Sequence, residues 1–411
     1  MEDFLKTAKE ASSVVATLNS GVKNRLLREM ADALESQAPT IMIENEKDIT
    51  YAHENNLSAA LIDRLLLDKN RINAMANSLR EIAALKEPVG RVLDGWRVES
   101  GLEIQKVSVP IGVIGIIYES RPNVTSDTAA LCFKSGNVCV LKGGKEAQHS
   151  NAIIAEVLQA VLVKNALPKE VISLLPDASR EGVAKLIKMD GYVDLIIPRG
   201  GEGLIRYISE NSTVPVVKHD KGLCHVYIDK DADIDKAIPI MINAKCRRVG
   251  ICNAMETLLV DSAIAKTLLP KVKEAFDKEQ TELRGDSVTR ESIMIDEATH
   301  EDFDTEYLDN ILSIKVVDGV EGAMAHIKQY GSGHSEAIVT ENYTSGEQFM
   351  NGIDAACVYI NASTQFTDGG EFGFGAEVGI STNKLHARGP MGINDLTTYK
   401  YKIYGNGQVR T

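Results

Sequence analysis

The sequence has few of the features that mark membrane, secreted or nucleic-acid-binding proteins. No apolar run approaches the ~20 residues that a membrane span needs, and the first residues lack the basic and then apolar pattern of a secretory signal. Its six cysteines form no C-x-x-C pair, so we expect reduced thiols in a cytoplasmic protein. With 45 Lys and Arg against 58 Asp and Glu, the net charge of −13 disfavours a nucleic acid as partner.

Several common signatures of catalysis are also absent. No G-x-G-x-x-G follows a predicted strand, and G-x-x-x-x-G-K-S/T, H-E-x-x-H and G-x-S-x-G do not occur. The eight histidines show no metal-ligand spacing, so we predict no metal site. A nucleotide site in this chain must therefore use other contacts.

The pattern of elements predicts an α/β protein. At 411 residues the chain is too long for one core, so two or three domains are expected. Residues 1 to about 90 are typical of helices, and residues 92–108 of a hairpin. Beyond them, short apolar strands such as Ile111–Tyr118, Asn137–Lys142 and Asp194–Ile197 alternate with helices. This alternation predicts a doubly wound, largely parallel sheet, an architecture that binds nucleotides at the carboxyl ends of its strands.

We predict three parts of the chain. Residues 1–224 form a nucleotide-binding domain with a protruding hairpin at about 92–108, and residues 225–392 form a second α/β domain, the catalytic one. Residues 393–411 form a strand-like oligomerisation tail, which could complete a partner's sheet. The hairpin and the tail favour a homo-oligomer, and an ordinary edge hairpin is the alternative.

The segment Asn243–Glu256 (NAKCRRVGICNAME) contains the strongest candidate for a nucleophile. Arg247 and Arg248 lie close upstream of Cys252, and nearby cations lower the pKa of a thiol. Gly250 permits a tight backbone, whose N–H groups can hold an oxyanion. From the residues alone, Cys252 is either a nucleophile or a small buried hydrophobic residue, because most cysteines are structural.

Longer stretches resemble a known family. Pro110–Asn151 and DLIIPRGG (194–201) resemble the cofactor domain of the aldehyde dehydrogenase superfamily. YESRPNVTSD (118–127), RVGICNAMETLLV (248–260) and HIKQYGSGHSEAIVTE (326–341) are similar to one branch of it, whose members reduce L-glutamyl 5-phosphate with NADPH. The resemblance covers essentially the whole chain. It implies an aldehyde dehydrogenase-like fold of two doubly wound α/β domains plus a small oligomerisation element.

The resemblance assigns catalytic roles. Cys252 is the implied nucleophile, which forms a thioester that hydride reduces to L-glutamate 5-semialdehyde, the second step of proline biosynthesis. Asn123 is the candidate oxyanion donor, although its interval to Gly136 is about two residues shorter than in hydrolytic relatives. Those relatives carry a Glu where this chain has His219, a residue that either assists proton transfer or is structural. A contact with glutamate 5-kinase is a further expectation.

The resemblance also assigns the cofactor. Lys142 matches the lysine that holds the adenosine ribose, and Lys145 suits the 2′-phosphate of NADPH. Gly200 and Gly201 match the Gly turn near the cofactor phosphates, and Glu306 matches the residue that orients the nicotinamide ribose. Solvated surface residues are the alternative for Lys145 and Glu306.

The substrate residues are the least defined by the sequence. Arg121, Arg247 and Arg248 are candidates for neutralising the phosphate or the alpha-carboxylate, with solvated arginines as the alternative. Ser332 and His334 lie in a stretch that could form a loop closing over the substrate. Two other functions compete: a hydrolytic aldehyde dehydrogenase, which the missing Glu disfavours, and a non-catalytic scaffold of the same fold, which the intact Cys252 and Lys142 disfavour.

Overall fold

The computed structural model describes residues 1–218 and 221–410, which form two compact units. Unit 1 consists of Met1–Lys218, Gly373–Gly379 and Met391–Thr411, and unit 2 of His219–Phe372 and Ile380–Pro390. This division differs from the predicted parts, since the first boundary lies six residues before the predicted one and the tail is part of unit 1. His219, a predicted site residue, lies outside the described residues.

The helices of unit 1 begin with a bundle. They are α1 (Glu2–Val15), α2 (Ser20–Ser36), α3 (Ala38–Glu54), α4 (Ala59–Leu65), α5 (Lys69–Ala84), α6 (Pro122–Lys134), α7 (Gln148–Lys164), α8 (Arg180–Leu186) and α9 (Glu202–Asn211). Side chains set several of the starts: Asn19 caps α2, and Asp68 accepts a 2.7 Å hydrogen bond from the Arg71 N–H at the start of α5. The buried stripe of α2, which includes Leu26, Leu27 and Met30, is typical of an amphipathic helix that covers a core.

Unit 1 contains a parallel sheet that matches the predicted architecture. The strands of unit 1 up to residue 218 are β1 (Val92–Arg97), β2 (Glu103–Pro110), β3 (Val113–Tyr118), β4 (Val138–Lys142), β5 (Ile172–Leu174) and β6 (Leu195–Arg199). The last four form a parallel sheet in the order β5-β4-β3-β6. Every residue of β3 is buried, as expected for a strand covered by helices on both faces.

Unit 2 contains a larger parallel sheet. Its helices are α10 (Ile234–Cys246), α11 (Ala265–Lys278), α12 (Ser287–Ser292), α13 (His300–Phe303), α14 (Gly319–Tyr330) and α15 (Tyr343–Gly352). The strands that form the sheet are β7 (Cys224–Ile228), β8 (Met255–Asp261), β9 (Glu282–Gly285), β10 (Asp296–Glu297), β11 (Ile311–Val317), β12 (Ser335–Val339) and β13 (Cys357–Ile360). Their order is β10-β9-β11-β8-β7-β12-β13, with parallel neighbours throughout. The prediction of a second α/β region with parallel strands is confirmed.

Shorter elements complete the two units. Strands β14 (Gly379–Ser381) and β15 (Gly389–Met391) form a two-stranded sheet. Single 3₁₀ turns occur at Lys145–Ala147, Lys169–Val171, Thr364–Phe366 and Ile393–Leu396. Among the described helices, none is both long enough and apolar enough to cross a bilayer.

The tail forms β16 (Thr397–Tyr404), which pairs antiparallel with β2 of its own chain along the whole strand. Strand β2 also pairs with β1, so hairpin and tail form one three-stranded sheet in the order β1-β2-β16. The Trp96 and Tyr401 rings lie 6.1 Å apart, and both side chains remain substantially exposed. The tail therefore completes a sheet of its own chain, whereas the sequence suggested that it could complete a partner's.

Candidate active site

Cys252 lies in a turn at the amino ends of the strands of unit 2. The turn follows α10 and precedes β8, and the neighbouring strands β7 and β12 begin at Cys224 and Ser335. Cys252 is half-buried, as is Cys246, while the other four cysteines are buried. Cys246 lies in the last turn of α10 with its Sγ 3.4 Å from Thr281 Oγ1, and burial raises the pKa of its thiol. Cys252 is therefore the better placed of the two for nucleophilic attack.

Several hydrogen bonds hold the backbone of this turn. The Cys224 thiol lies 3.2 Å from the carbonyl oxygen of Cys252, and the Thr364 hydroxyl donates to the carbonyl of Asn253 at 2.7 Å. The Asn253 amide donates in turn to the carbonyl of Thr367 at 2.9 Å. Gly222 packs so closely that an added Cβ would lie 2.1 Å from the Cys252 carbonyl oxygen. The position of the turn is thus determined by neighbouring segments as well as by its own residues.

The two arginines upstream of Cys252 are exposed at the end of α10. Arg247 donates to Gln365 Oε1 at 3.3 Å, and the Gln365 amide donates to the carbonyls of Ala244 and Arg248. Gln365 therefore connects both arginines to the segment that also holds Asn253. The structure places these two cations next to the turn, where positive charge favours a thiolate.

Ser332 and His334 lie in the segment before β12, inside unit 2. The Ser332 hydroxyl accepts a 3.1 Å hydrogen bond from the N–H of Leu223, the residue before β7. The His334 side chain is fully buried, with its Nδ1 2.9 Å from Ser335 Oγ and 3.7 Å from Cys224 Sγ. These contacts support the strand ends beneath Cys252. A direct contact of either residue with the substrate stays a prediction.

Glu306 lies in the segment between α13 and β11, against the Cys252 turn. The Leu308 N–H donates to Glu256 Oε1 at 3.2 Å, and Leu308 has a φ of +53°. A Cβ added at Gly250 would lie 3.6 Å from the Leu308 carbonyl oxygen. Unit 2 therefore brings together Cys252, the two arginines and the segment of Glu306.

The predicted cofactor residues gather at the carboxyl ends of the strands of unit 1. Lys142 ends β4, while Gly200 and Gly201 follow β6. The Glu119 carboxylate accepts a 2.9 Å hydrogen bond from the Gly201 N–H, and an added Cβ on Gly200 would lie 2.7 Å from the same carboxylate. The Glu119 carboxylate thus packs against the turn after β6 and occupies the Gly201 N–H.

Lys142 and Lys145 differ in their surroundings. Burial lowers the pKa of the half-buried Lys142 ammonium, and the carboxylates of Glu146, Glu119 and Asp177 oppose that shift. Lys145 is exposed on the 3₁₀ turn that follows β4. Glu146 accepts hydrogen bonds from both the N–H and the hydroxyl of Ser120, at 2.8 and 2.6 Å. Lys145 is therefore the more exposed of the two cations.

Arg121 and Asn123 are both exposed at the start of α6, in unit 1. The Asn123 amide donates to Asp127 Oδ2 at 3.1 Å. The Asn137 amide, beyond the other end of α6, donates to the carbonyl of Leu396 at 2.8 Å and accepts from the Gly112 N–H, so it is structural. Asn123 as oxyanion donor stays a prediction.

The structure also contains functional candidates that sequence reasoning missed. Lys245 and Glu256 form a buried ion pair across the Cys252 turn, and Gly222 contacts its backbone. Their positions lie inside or beside the segments that carried the resemblance, but charged residues are expected on the surface. No spacing rule pairs a helix end with a strand start, so the sequence contains no signal for this pair.

The fold and the site define the class of the protein. The model of the aldehyde dehydrogenase family matches residues 1–304, and the chain belongs to this family. Membership implies a nicotinamide cofactor. In the part of the chain described by the structure, no group of His, Cys, Asp or Glu could hold a metal ion.

Relatives narrow this assignment to the gamma-glutamyl phosphate reductases. The protein of that name from a Nitratiruptor species is 70% identical over 100% of both chains, and that from Caldanaerobacter subterraneus subsp. tengcongensis is 52% identical over 98% of both. The crystal structure of the gamma-glutamyl phosphate reductase from Thermotoga maritima superposes with a TM-score of 0.98 at 45% identity, covering 100% of this chain and 99% of that one. The predicted aldehyde dehydrogenase-like fold and the predicted branch are confirmed.

Proposed function

We propose that this protein reduces L-glutamyl 5-phosphate to L-glutamate 5-semialdehyde and phosphate, the second step of proline biosynthesis, with NADPH as cofactor. The observation that carries the proposal is the half-buried Cys252 in a turn held by its neighbours and flanked by exposed arginines. The relatives of this chain act on gamma-glutamyl phosphate by name. A cytoplasmic location fits a reaction that draws on soluble metabolites, and it remains a prediction.

Cys252 performs the acyl transfer in this proposal. Its thiolate attacks the carbonyl carbon of the acyl phosphate, the carbon–oxygen bond to phosphate breaks, and phosphate leaves with the bonding electrons. The products are a thioester and inorganic phosphate. Splitting the reaction in this way removes the anionic leaving group before reduction. Arg247 and Arg248 support the step, because cations beside the turn stabilise both the thiolate and the phosphate.

The cofactor supplies a hydride to the thioester carbonyl when it is bound. The resulting thiohemiacetal collapses, the carbon–sulfur bond breaks, and the Cys252 thiolate is released together with the aldehyde. The thioester must outlast any attack by water until reduction occurs. The segment Val217–Gly222 contains no Glu, so the base that hydrolytic relatives use to activate water is missing there.

The preference for NADPH is attributed to Lys145. The predicted residues of unit 1 suit a dinucleotide, because Lys142 ends β4 and Gly200 follows β6 at the carboxyl ends of parallel strands. Glu146, Glu119 and Asp177 near Lys142 would repel a 2′-phosphate. The exposed Lys145 supplies the positive charge that such a phosphate requires.

The assembly is a further part of the proposal. The β1-β2-β16 sheet has exposed apolar side chains that include Leu93, Trp96 and Ile403, a composition typical of a surface that associates. We infer a homo-oligomer that uses this sheet, which light scattering of the purified protein would test. Contact with glutamate 5-kinase, which forms the acyl phosphate, would limit its exposure to water and stays a prediction.

The proposed reaction is tested with Cys252→Ser and the matched variant Cys246→Ser. In the reverse direction, glutamate 5-semialdehyde should be oxidised with NADP only when phosphate or arsenate is present. Cys252→Ser should fold and lose nearly all turnover, because an alcohol is a far weaker nucleophile than a thiolate. Cys246→Ser should keep turnover, since that thiol is bonded within the unit. Substantial turnover of Cys252→Ser, or oxidation without phosphate, would contradict the proposal.

A further inference from the structure

Lys245 and Glu256 form an ion pair that joins the two ends of the Cys252 turn. Lys245 lies in the last turn of α10, and Glu256 is the second residue of β8. The ammonium lies 2.6 Å from Glu256 Oε2, and the two side chains are 0% and 1% exposed. The pair therefore closes the turn that carries Cys252 from beneath, with no solvent between the charges.

The second oxygen of Glu256 reaches a different segment. Glu256 Oε1 accepts the hydrogen bond from the Leu308 N–H at 3.2 Å, two residues after Glu306. Leu308 has a φ of +53°, a conformation that side chains rarely adopt and that tends to occur where surrounding contacts enforce it. One carboxylate thus contacts both the end of the Cys252 turn and the segment of Glu306.

Other contacts agree with this link. A Cβ added at Gly250 would lie 3.6 Å from the Leu308 carbonyl oxygen, so the two segments also touch through their backbones. The Lys245 ammonium lies 5.9 Å from the Tyr307 ring centroid, and the Tyr307 hydroxyl is bonded to Asp302 and Ser313. The segment of Glu306 is therefore held by the pair through Leu308 and by Asp302 and Ser313 through Tyr307.

Stability alone does not explain a buried ion pair. Removing two charges from water costs about as much as their attraction returns, so hydrophobic residues of similar volume would serve a core equally well. Burial raises the pKa of the Glu256 carboxyl to about 7, and Lys245 opposes that rise. The ion pair differs from a hydrophobic contact because its hydrogen bonds have fixed directions.

We propose that the Lys245–Glu256 pair is a positioning device that sets the turn of Cys252 against the segment of Glu306. The inference rests on the proposed function in taking Cys252 as nucleophile and Glu306 as the residue that orients the nicotinamide ribose. Neither member of the pair touches the reacting atoms, because both are sealed from solvent. Its effect is on the geometry between thiol and cofactor.

The test uses the double variant Lys245→Met with Glu256→Gln. Gln keeps an acceptor for the Leu308 N–H, and Met fills the space of the lysine stem without a charge. The single variant Lys245→Met leaves a buried carboxylate without its partner and should unfold at a lower urea concentration. The double variant removes both charges, so its urea midpoint should return toward that of the unchanged protein.

The matched control is the double variant Lys23→Met with Glu87→Gln in unit 1. Lys23 is 1% exposed, its ammonium lies 2.5 Å from Glu87 Oε1, and that oxygen also accepts from the Val89 N–H. The control makes the same chemical change in a pair with the same kind of second hydrogen bond. It lies outside the residues assigned to catalysis, with Glu87 25% exposed and Lys23 donating a further hydrogen bond to the Lys134 carbonyl at 2.9 Å.

The readout is the rate of the reverse reaction with glutamate 5-semialdehyde, phosphate and NADP. The rate is divided by the amount of protein whose Cys252 reacts with iodoacetamide. We expect kcat of the Lys245/Glu256 double variant to fall by about tenfold or more, since small misplacements of reacting groups have effects of this size. The KM for NADP should change by less than about threefold, because the adenosine residues are unaltered. The control should keep kcat within about twofold.

A kcat within about twofold for the folded Lys245/Glu256 double variant would overturn the proposal, as would an equal loss in the control. Failure of the proposed function would give a different result. Cys252→Ser would then retain turnover, independently of the kcat measured for the Lys245/Glu256 double variant. The labelling of Cys252 is followed by mass spectrometry and needs no catalytic step. The two hypotheses are therefore tested independently.

Discussion

Gly222→Ala is the perturbation that examines the position of the Cys252 turn most directly. Gly222 lies two residues before β7, and an added Cβ would lie 2.1 Å from the carbonyl oxygen and 2.5 Å from the Cα of Cys252. Both atoms belong to the backbone, so no side-chain rotation relieves the overlap. Either the turn of Cys252 or the segment of Gly222 must move.

The size of that movement follows from the contact. An ordinary contact of this kind is about 3.4 Å or longer, so the Cys252 carbonyl oxygen and the new methyl group must separate by about 1.3 Å. That oxygen also contacts the Cys224 thiol at 3.2 Å, so a movement of the oxygen alters this contact as well. Overpacking of this kind costs about 1–3 kcal/mol of folding free energy. A misplacement of about 1 Å at a reacting group lowers its rate by about 100-fold.

The assay is phosphate-dependent NADP reduction with glutamate 5-semialdehyde, alongside urea unfolding. We expect kcat/KM of Gly222→Ala to fall by about 100-fold while most of the folded population survives at low urea. Gly191→Ala is the control, because a Cβ there meets nothing within 4 Å. A Gly222→Ala protein with kcat/KM within about threefold of the unchanged protein would refute the idea that catalysis depends on the position of this turn.

Two further variants address the cofactor and the response to pH. Lys145→Glu should weaken binding of NADPH far more than that of NADH in fluorescence titrations, and an equal loss for both would contradict the assignment. His326 is buried against Phe303 and Tyr330, and burial lowers its pKa to about 3, with His225 and Lys315 adding to the shift. Because the unfolded histidine takes up a proton below about pH 6.5 and the folded one does not, stability should be lost as the pH falls, by about 2 kcal/mol between pH 7 and pH 5. In His326→Phe, the urea midpoint should therefore change less between pH 7 and pH 5 than in the unchanged protein. An equal change in both proteins would show that other groups cause the acid sensitivity.

The contacts of Cys224 define one of the supports of the proposed nucleophile. Burial raises the pKa of this thiol well above its usual range, and the Glu336 carboxylate adds to the shift. The residue is therefore a neutral donor, which suits its 3.2 Å contact with the Cys252 carbonyl oxygen. Two cysteines in one small region thus differ: Cys224 is buried and contacts the backbone of the turn, whereas Cys252 is half-buried and is the proposed nucleophile.

Much of the fold could be predicted from local patterns. The apolar run Ile111–Tyr118 could only be a buried strand, and β3 is buried along its length. The strand predicted at Asn137–Lys142 is β4, Val138–Lys142. Strands that alternate with helices form parallel sheets because each crossover returns the chain to the same end of the sheet. For the same reason Lys142 and Gly200 could be placed at strand ends before the structure was known.

Other features depended on long-range pairing, which no local pattern encodes. The tail was predicted as a strand, but only the structure shows that it pairs with β2 of its own chain and so belongs to unit 1. The half-burial of Cys252 and Cys246, against the full burial of the other four cysteines, was equally inaccessible, because burial depends on what packs over a residue. Both depend on residues that are far apart in the chain.

The sequence by itself determined the class of architecture, the candidate nucleophile and the strand ends, because periodicity and short motifs are local, and the family resemblance added the predicted cofactor residues at those ends. Only the tertiary structure decided how the turn of Cys252 is held. Its supports come from Gly222, Cys224 and Thr364, and from a buried ion pair whose members a helix end and a strand start bring together. Such contacts form where separate segments converge, and their geometry exists only once the chain has folded.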